Sequence, residues 1–228
     1  MATMEEDVVF SNLRDKLFTA VVGDVLDKMG RRRQFLPQAI GPLKPDMKFV
    51  GRAMPVLEAD IFDDNAHSSG AVGAKPFGLM LEALDDLRNN EVYVNTGSSP
   101  RNALWGELMS TRARKLGSRG AVLNGYARDT KAILNMGFPT FGFGSYGQDS
   151  APRYKVVDFR IPVEIGSVRI RPGDILFGDI DGVLLVPAEA EADVFARALE
   201  KGRGEKLVRK AIEDGSSAVE AFEKYGIM

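Results

Sequence analysis

The 228-residue chain has no cysteine and a single histidine, His67. Without a thiol there is no thiolate nucleophile, no Cys-ligated zinc, no iron–sulfur cluster and no disulfide. With one imidazole, every site that needs two is excluded, and a Ser-His-Asp triad would have to use His67. An excess of charge of either sign is lacking too: 30 Lys+Arg against 32 Asp+Glu give a net charge of −2. That balance argues against nucleic acid as the main partner, which leans on a basic surface. The Arg31-Arg32-Arg33 run is too short to overturn this and reads as a solvated loop after a helix. No apolar run approaches the roughly 18 residues of a membrane span. The first residues include Glu5, Glu6 and Asp7, acidic where a signal peptide is basic, so a cytoplasmic protein is the simplest expectation. The remaining chemistry must rest on carboxylates, Lys, Arg, hydroxyls, backbone amides and a hard metal ion.

What is present reads as one α/β domain over residues 1–228 with a helical C-terminal tail from about 188. Residues 8–29 carry apolar positions at helical spacing, stopped by Gly30. A strand is expected over 48–57 and a long Asp-, Ser- and Gly-rich loop over 58–76, where His67 reads as surface decoration or, less simply, a ligand. Helices over 77–89, 106–116 and 129–136 alternate with strands over 91–95, 120–124 and 139–143. Residues 155–186 hold short β runs broken by Gly166, Pro172-Gly173 and Asp181-Gly182. The tail is helical, with Gly202, Gly204 and Gly215 as interruptions.

Two motifs mislead. Gly142-Phe143-Gly144-Ser145-Tyr146-Gly147 matches a dinucleotide fingerprint, but Gln148 to Pro152 do not open a helix on which a pyrophosphate could sit. Gly178-Asp179-Ile180-Asp181-Gly182 lacks the full calcium-loop pattern and reads as a tight turn between buried strands. Phe138, Phe141 and Phe143 read as core.

The informative stretch runs from Trp105 to Asp129. A ten-residue helix rises about 15 Å, Gly117 lets the chain turn, and a strand of five or six residues returns about 17–20 Å. Matched lengths place Arg128 and Asp129 near Gly106 and Glu107. A helix N-terminus offers unpaired N–H groups to an anion. Arg128 can grip a carboxylate with two bonds, and Asp129 can take a hard cation. Alone, Arg128-Asp129 reads more often as an ordinary salt bridge or helix cap.

At these residues the chain resembles the family of divalent-metal-dependent 4-hydroxy-4-methyl-2-oxoglutarate aldolases and regulator-of-ribonuclease-activity-A-like proteins. The marks are Glu107, then residues 108–127, then Arg128-Asp129. Thr19 to Leu26 and Arg171 to Val183 resemble the family's first helix and its late strand–turn–strand. The resemblance implies a swivelling β/β/α sandwich of the phosphohistidine-domain-like kind, assembled as a homotrimer or homohexamer. It implies that the amides of Gly106, Glu107, Leu108 and Met109, with Arg128, hold a pyruvate unit. Asp129 would ligate Mg²⁺ or Mn²⁺ directly. Glu107, and Glu205 from a neighbouring subunit, would act through water, although Glu205 reads as well as a solvated helix face. The implied activity is a metal-dependent aldolase or oxaloacetate decarboxylase passing through a pyruvate enolate. Its rival is a non-catalytic protein that binds a ribonuclease. The chain departs from the family pattern at Ala132, where an acidic residue is expected, and Lys131 leaves a lysine imine to be tested.

Overall fold

A computed structural model describes residues 2–62, 74–151 and 153–227; His67 lies outside them. Helices α1 (Ala2–Lys16) and α2 (Thr19–Lys28) open the chain, followed by strand β1 (Gly41–Pro42) and the long β2 (Phe49–Asp60). Next come α3 (Met80–Asp85), β3 (Glu91–Thr96), β4 (Ala103–Trp105), α4 (Glu107–Lys115), β5 (Gly120–Leu123), β6 (Tyr126–Ala127), α5 (Thr130–Met136) and β7 (Thr140–Gly142). Strands β8 (Tyr154–Phe159), β9 (Val163–Ile165), β10 (Val168–Ile170), β11 (Ile175–Asp179) and β12 (Gly182–Val186) precede the helical tail, α6 (Glu191–Glu213) and α7 (Ala218–Tyr225).

The main sheet has the order β1-β7-β5-β3-β2-β11-β12, with β8 also on β2. β2 pairs along Phe49–Arg52 with β11 and along Val56–Asp60 with β8, both antiparallel. Pro55 falls between these two partners, where its missing N–H leaves no rung of the ladder unmade. β2, β3, β5 and β7 are parallel, joined through helices. Alternation then sorts side chains by face. Val50, Phe177 and Leu184 pack on α1, α2 and α6, while Phe49, Leu176 and Val183 meet the β9–β10 hairpin. Met54, Tyr93 and Ala121 pack with residues of α3, α4 and α5. This is a mixed α/β fold in β/β/α layers with a C-terminal helical tail.

Three boundaries depart from the periodicity. The helix expected over 8–29 is two helices. Phe18 is extended, and the Asp179 carboxylate at the end of β11 accepts from the Thr19 amide (2.8 Å) and hydroxyl (2.7 Å), starting α2 afresh. The helix expected from residue 77 starts at Met80, because Leu79 N–H donates to Val156 O of β8 (2.9 Å). The tail does not break at Gly202 or Gly204: α6 is continuous for 23 residues. A Cβ at Gly204 would sit 2.4 Å from Ile227 Cδ1, so this glycine gives room to the chain end rather than ending the helix. The expected loop also shortens, since 58–60 complete β2. Helix α3 also ends at Asp85, four residues before the expected 89. Elsewhere the expected strands and helices stand within a residue or two, Asp179 to Gly182 makes the β11–β12 turn, and no helix follows Gly147.

Candidate active site

The N-terminus of α4 and the residues after β6 form one wall of a cleft of about 280 Å³. They meet through a device too short to show in the sequence pattern. β4 and β6 pair in parallel, with Trp105 beside Ala127, and Arg128 N–H donates to Trp105 O (2.9 Å). Gly106 thereby lies against Arg128 and Asp129. The contact is so close that a Cβ on Gly106 would stand 2.8 Å from Asp129 Oδ2 and 3.4 Å from Arg128 Cγ. Trp105 is buried and donates its indole N–H to Ser110 Oγ (2.6 Å), which donates to Gly106 O (3.0 Å) and anchors the first turn of α4.

Asp129 has left-handed backbone (φ 54°) at the head of α5, yet its side chain does not cap that helix. The carboxylate turns to α4, where Oδ2 accepts from Glu107 N–H (3.3 Å). The positive end of the α4 dipole therefore faces a carboxylate. Among the described residues the amides of Leu108 and Met109 have no partner in the chain, whereas Ser110 N–H is already spent on Gly106 O (3.0 Å). Arg128 touches two carboxylates loosely, Asp149 Oδ2 at 3.3 Å and Asp129 Oδ2 at 3.9 Å. Its guanidinium makes no hydrogen bond within the described residues, so its fork of donors is available to a ligand. Opposite stands an apolar wall of Phe77, Met80, Leu81 and Leu84, with Leu108, 82% exposed, at the rim.

The sequence thus brings Gly106, Glu107, Leu108, Met109, Arg128 and Asp129 together. The Glu107 side chain is exposed and has no partner among the described residues, whereas its amide donates to Asp129 and its carbonyl accepts from Thr111 Oγ1 (2.9 Å). Glu205 does not line this cleft. Its carboxylate pairs with Lys201, which also binds Asp24 (2.9 Å). Lys131 is exposed and does not line the cleft either. Asp149 is the residue sequence reasoning missed. A backbone bridge between Ala103 and Asp149 delivers it, with Ala103 N–H on Gln148 O (2.9 Å), and nothing in the local pattern announces that pairing.

No cluster of three or more acidic or imidazole ligands exists among the described residues. A hard dication that keeps most of its water needs only one or two carboxylates. Asp129, half-exposed and with Oδ1 unpartnered among the described residues, fits that mode rather than an enclosing cage.

Behind the cleft lies a buried polar group. Glu58 accepts from Asn95 Nδ2 (3.0 Å) and Ser98 Oγ (2.9 Å). Burial pushes its carboxyl up to about 8, against the opposing pull of the Ser98 and Asn95 bonds. Tyr154 passes nearby and donates its hydroxyl to Ala103 O of β4 (2.7 Å).

The fold and this cleft define a recognisable class. The family model described as "RraA-like: Aldolase/RraA" matches residues 19–185, and the chain belongs to that family. It is 28% identical over 205 residues to a Halalkalibacterium halodurans protein named "Putative 4-hydroxy-4-methyl-2-oxoglutarate aldolase", covering 90% of this chain and 89% of that one. It is 27% identical to Protein DlpA of Legionella pneumophila over 91% of its own length, but spans only 32% of that larger protein. Among solved structures, an uncharacterized protein from Pseudomonas syringae superposes with a TM-score of 0.83 at 27% identity, covering 96% of this chain and 94% of that one. RraAS2 of Streptomyces coelicolor, described as an unusual member of the RNase ES inhibitor RraA family, shares the fold at TM-score 0.72 and 22% identity, over 85% of this chain and 91% of that one. No helix of the described residues is long and apolar enough to cross a membrane.

Proposed function

We propose that the protein is a divalent-metal-dependent lyase that cleaves a C–C bond of a small 2-oxo acid and leaves a pyruvate enolate, as an aldolase on 4-hydroxy-4-methyl-2-oxoglutarate, as an oxaloacetate decarboxylase, or both. One observation carries the reading: Arg128, the Asp129 carboxylate and the unpartnered α4 amides converge on one small cleft. Arg128 binds the substrate carboxylate with two parallel bonds. The Leu108 and Met109 amides face the oxygen on which negative charge grows, and such prearranged donors are worth roughly 10²–10³ in rate. The apolar wall shields the reacting carbons from water. Mg²⁺ or Mn²⁺ would be held by Asp129, with Glu107 and a neighbouring subunit's Glu205 reaching it through water, and would supply Lewis-acid polarisation. A homotrimer or homohexamer would bring that second carboxylate to the cleft, and the exposed Leu81 and Leu108 at the rim suit a covering neighbour.

A regulator that binds a ribonuclease is the second reading. It is favoured by Ala132, half-buried one turn into α5 where the family pattern has an acid. Incubation with oxaloacetate and with 4-hydroxy-4-methyl-2-oxoglutarate, in Mg²⁺ or in EDTA, separates the two. The lyase reading expects metal-dependent pyruvate release that falls at least a thousandfold in Asp129→Ala. Absence of release on both substrates under every metal condition, with ribonuclease co-precipitation, selects the regulator. Release that persists in EDTA and is trapped by borohydride selects a lysine imine.

A further inference from the structure

A second concave surface lies on residues that the cleft does not use. Arg31, Arg32 and Arg33, after α2, face Arg169 and Arg171, at the end of the β9–β10 hairpin, across a groove of about 490 Å³. Both segments are held by the scaffold. Gly30 (φ 79°) ends α2. The following chain is pinned to β12 on either side of Phe35, which bridges Leu184, with Leu185 N–H on Gln34 O (2.8 Å) and Leu36 N–H on Val183 O (2.9 Å). Arg169 points outward from β10 because its neighbours Val168 and Ile170 are buried in the core. Five guanidiniums are therefore brought together by backbone that cannot easily part them.

The chain supplies too little counter-charge. Glu189 meets Arg31 at 3.3 Å. Asp174 is buried, and its oxygens are committed to the amides of Arg171 (2.8 Å) and Ala188 (3.0 Å). Five positive groups against two negative ones leave three unmatched. Among the described residues Arg32, Arg33, Arg169 and Arg171 have no carboxylate partner, whereas Arg52, Arg112, Arg119, Arg160 and Arg197 each do. Like charges gathered in one hollow repel, and an anion would relieve that repulsion.

We propose that this groove binds a compact small molecule carrying two clustered phosphoryl groups. Two such groups bring roughly three to four negative charges, which matches the unmatched three. The planar fork of Arg suits phosphate oxygens, and the volume is that of a small-ligand site. A nucleic-acid strand is less suited, because the guanidiniums ring one hollow instead of following an extended track.

Titration calorimetry of the full chain with inorganic pyrophosphate, in EDTA at constant ionic strength, tests this. The expected result is saturable one-to-one binding, at least tenfold tighter than orthophosphate or sulfate. It should weaken at least tenfold in Arg169→Ala/Arg171→Ala and in Arg32→Ala/Arg33→Ala, and stay unchanged in Arg197→Ala. These four arginines are exposed, so circular dichroism should report an intact fold in both double variants. The proposal is overturned if pyrophosphate binds no tighter than sulfate, or if both double variants bind it like the wild type. It is equally overturned if single-stranded RNA binds the same arginines at least tenfold more tightly than pyrophosphate, or if the variants change only the oligomeric state.

Discussion

Arg128 and Arg160 carry the same side chain and flank comparable backbone, since Asp129 (φ 54°) and Arg160 (φ 55°) both adopt the left-handed region. Their surroundings are opposite. Arg160 donates to both oxygens of Glu91 (2.7 and 2.9 Å), to Asp86 O (2.6 Å) and to the Asp86 carboxylate. Hydrogen bonds to Glu91 and Asp86 raise its hold on its proton. The Arg128 guanidinium has only two loose ion pairs and no hydrogen bond among the described residues. One guanidinium is saturated by the fold and clamps β8 to the start of β3; the other has donors that the described residues leave unused. Bond saturation, more than residue type, separates a scaffold charge from a site charge here.

That contrast can be broken by finding scaffold groups that govern turnover, or site groups that govern stability. The largest stability effect should come from Glu58. Unfolded, it releases its proton near the ordinary 4.5; folded, near about 8. Between those values the native state holds a proton that the unfolded chain does not. Its contribution to stability therefore falls as pH rises through the window, at up to about 1.4 kcal/mol per pH unit, and levels off above it. Denaturant melts of Glu58→Gln should lose this slope and exceed the wild type at pH 9. An unchanged slope would remove Glu58 from the account.

Gly106→Ala comes next. Its methyl must displace the Asp129 carboxylate, so kcat/KM for pyruvate release should fall about 100-fold, or about 2.7 kcal/mol in barrier, with a melting temperature close to wild type. Arg160→Ala should show the reverse. Losing several charge-assisted bonds at a mostly buried site costs about 2 kcal/mol of stability, while turnover per folded molecule stays within twofold. The smallest effect belongs to Arg112→Ala. Its pair with Asp85 (2.7 Å) is solvent-exposed, and such pairs contribute about 0–1 kcal/mol. Chemical denaturation should barely register it.

The contrast also explains what could be read in advance. The meeting of Gly106 with Arg128 was legible because helix and strand lengths depend on local pattern and a fixed rise per residue. The route was not: β4 and β6 have three and two residues, too few to show a two-residue period. Asp149 was invisible for the same reason. The break between α1 and α2 comes from Asp179, 160 residues away, and no window along the helix contains it. Gly204 carried the signature of a helix breaker, but its role is set by Ile227 packing against it. Ala132 was legible as a departure from the family pattern, because it is a matter of residue identity alone.

The central claim is that Arg128 and the amides at the head of α4 hold the carboxylate end of a 2-oxo acid. Oxalate, a planar dianion shaped like a pyruvate enolate, tests it without turnover. Titration calorimetry in Mg²⁺ should show oxalate binding to the wild type and to Arg112→Ala with the same Kd, and binding about 100-fold weaker to Arg128→Ala at unchanged melting temperature. An Arg128→Ala protein that is folded and binds oxalate as tightly as the wild type would contradict the account.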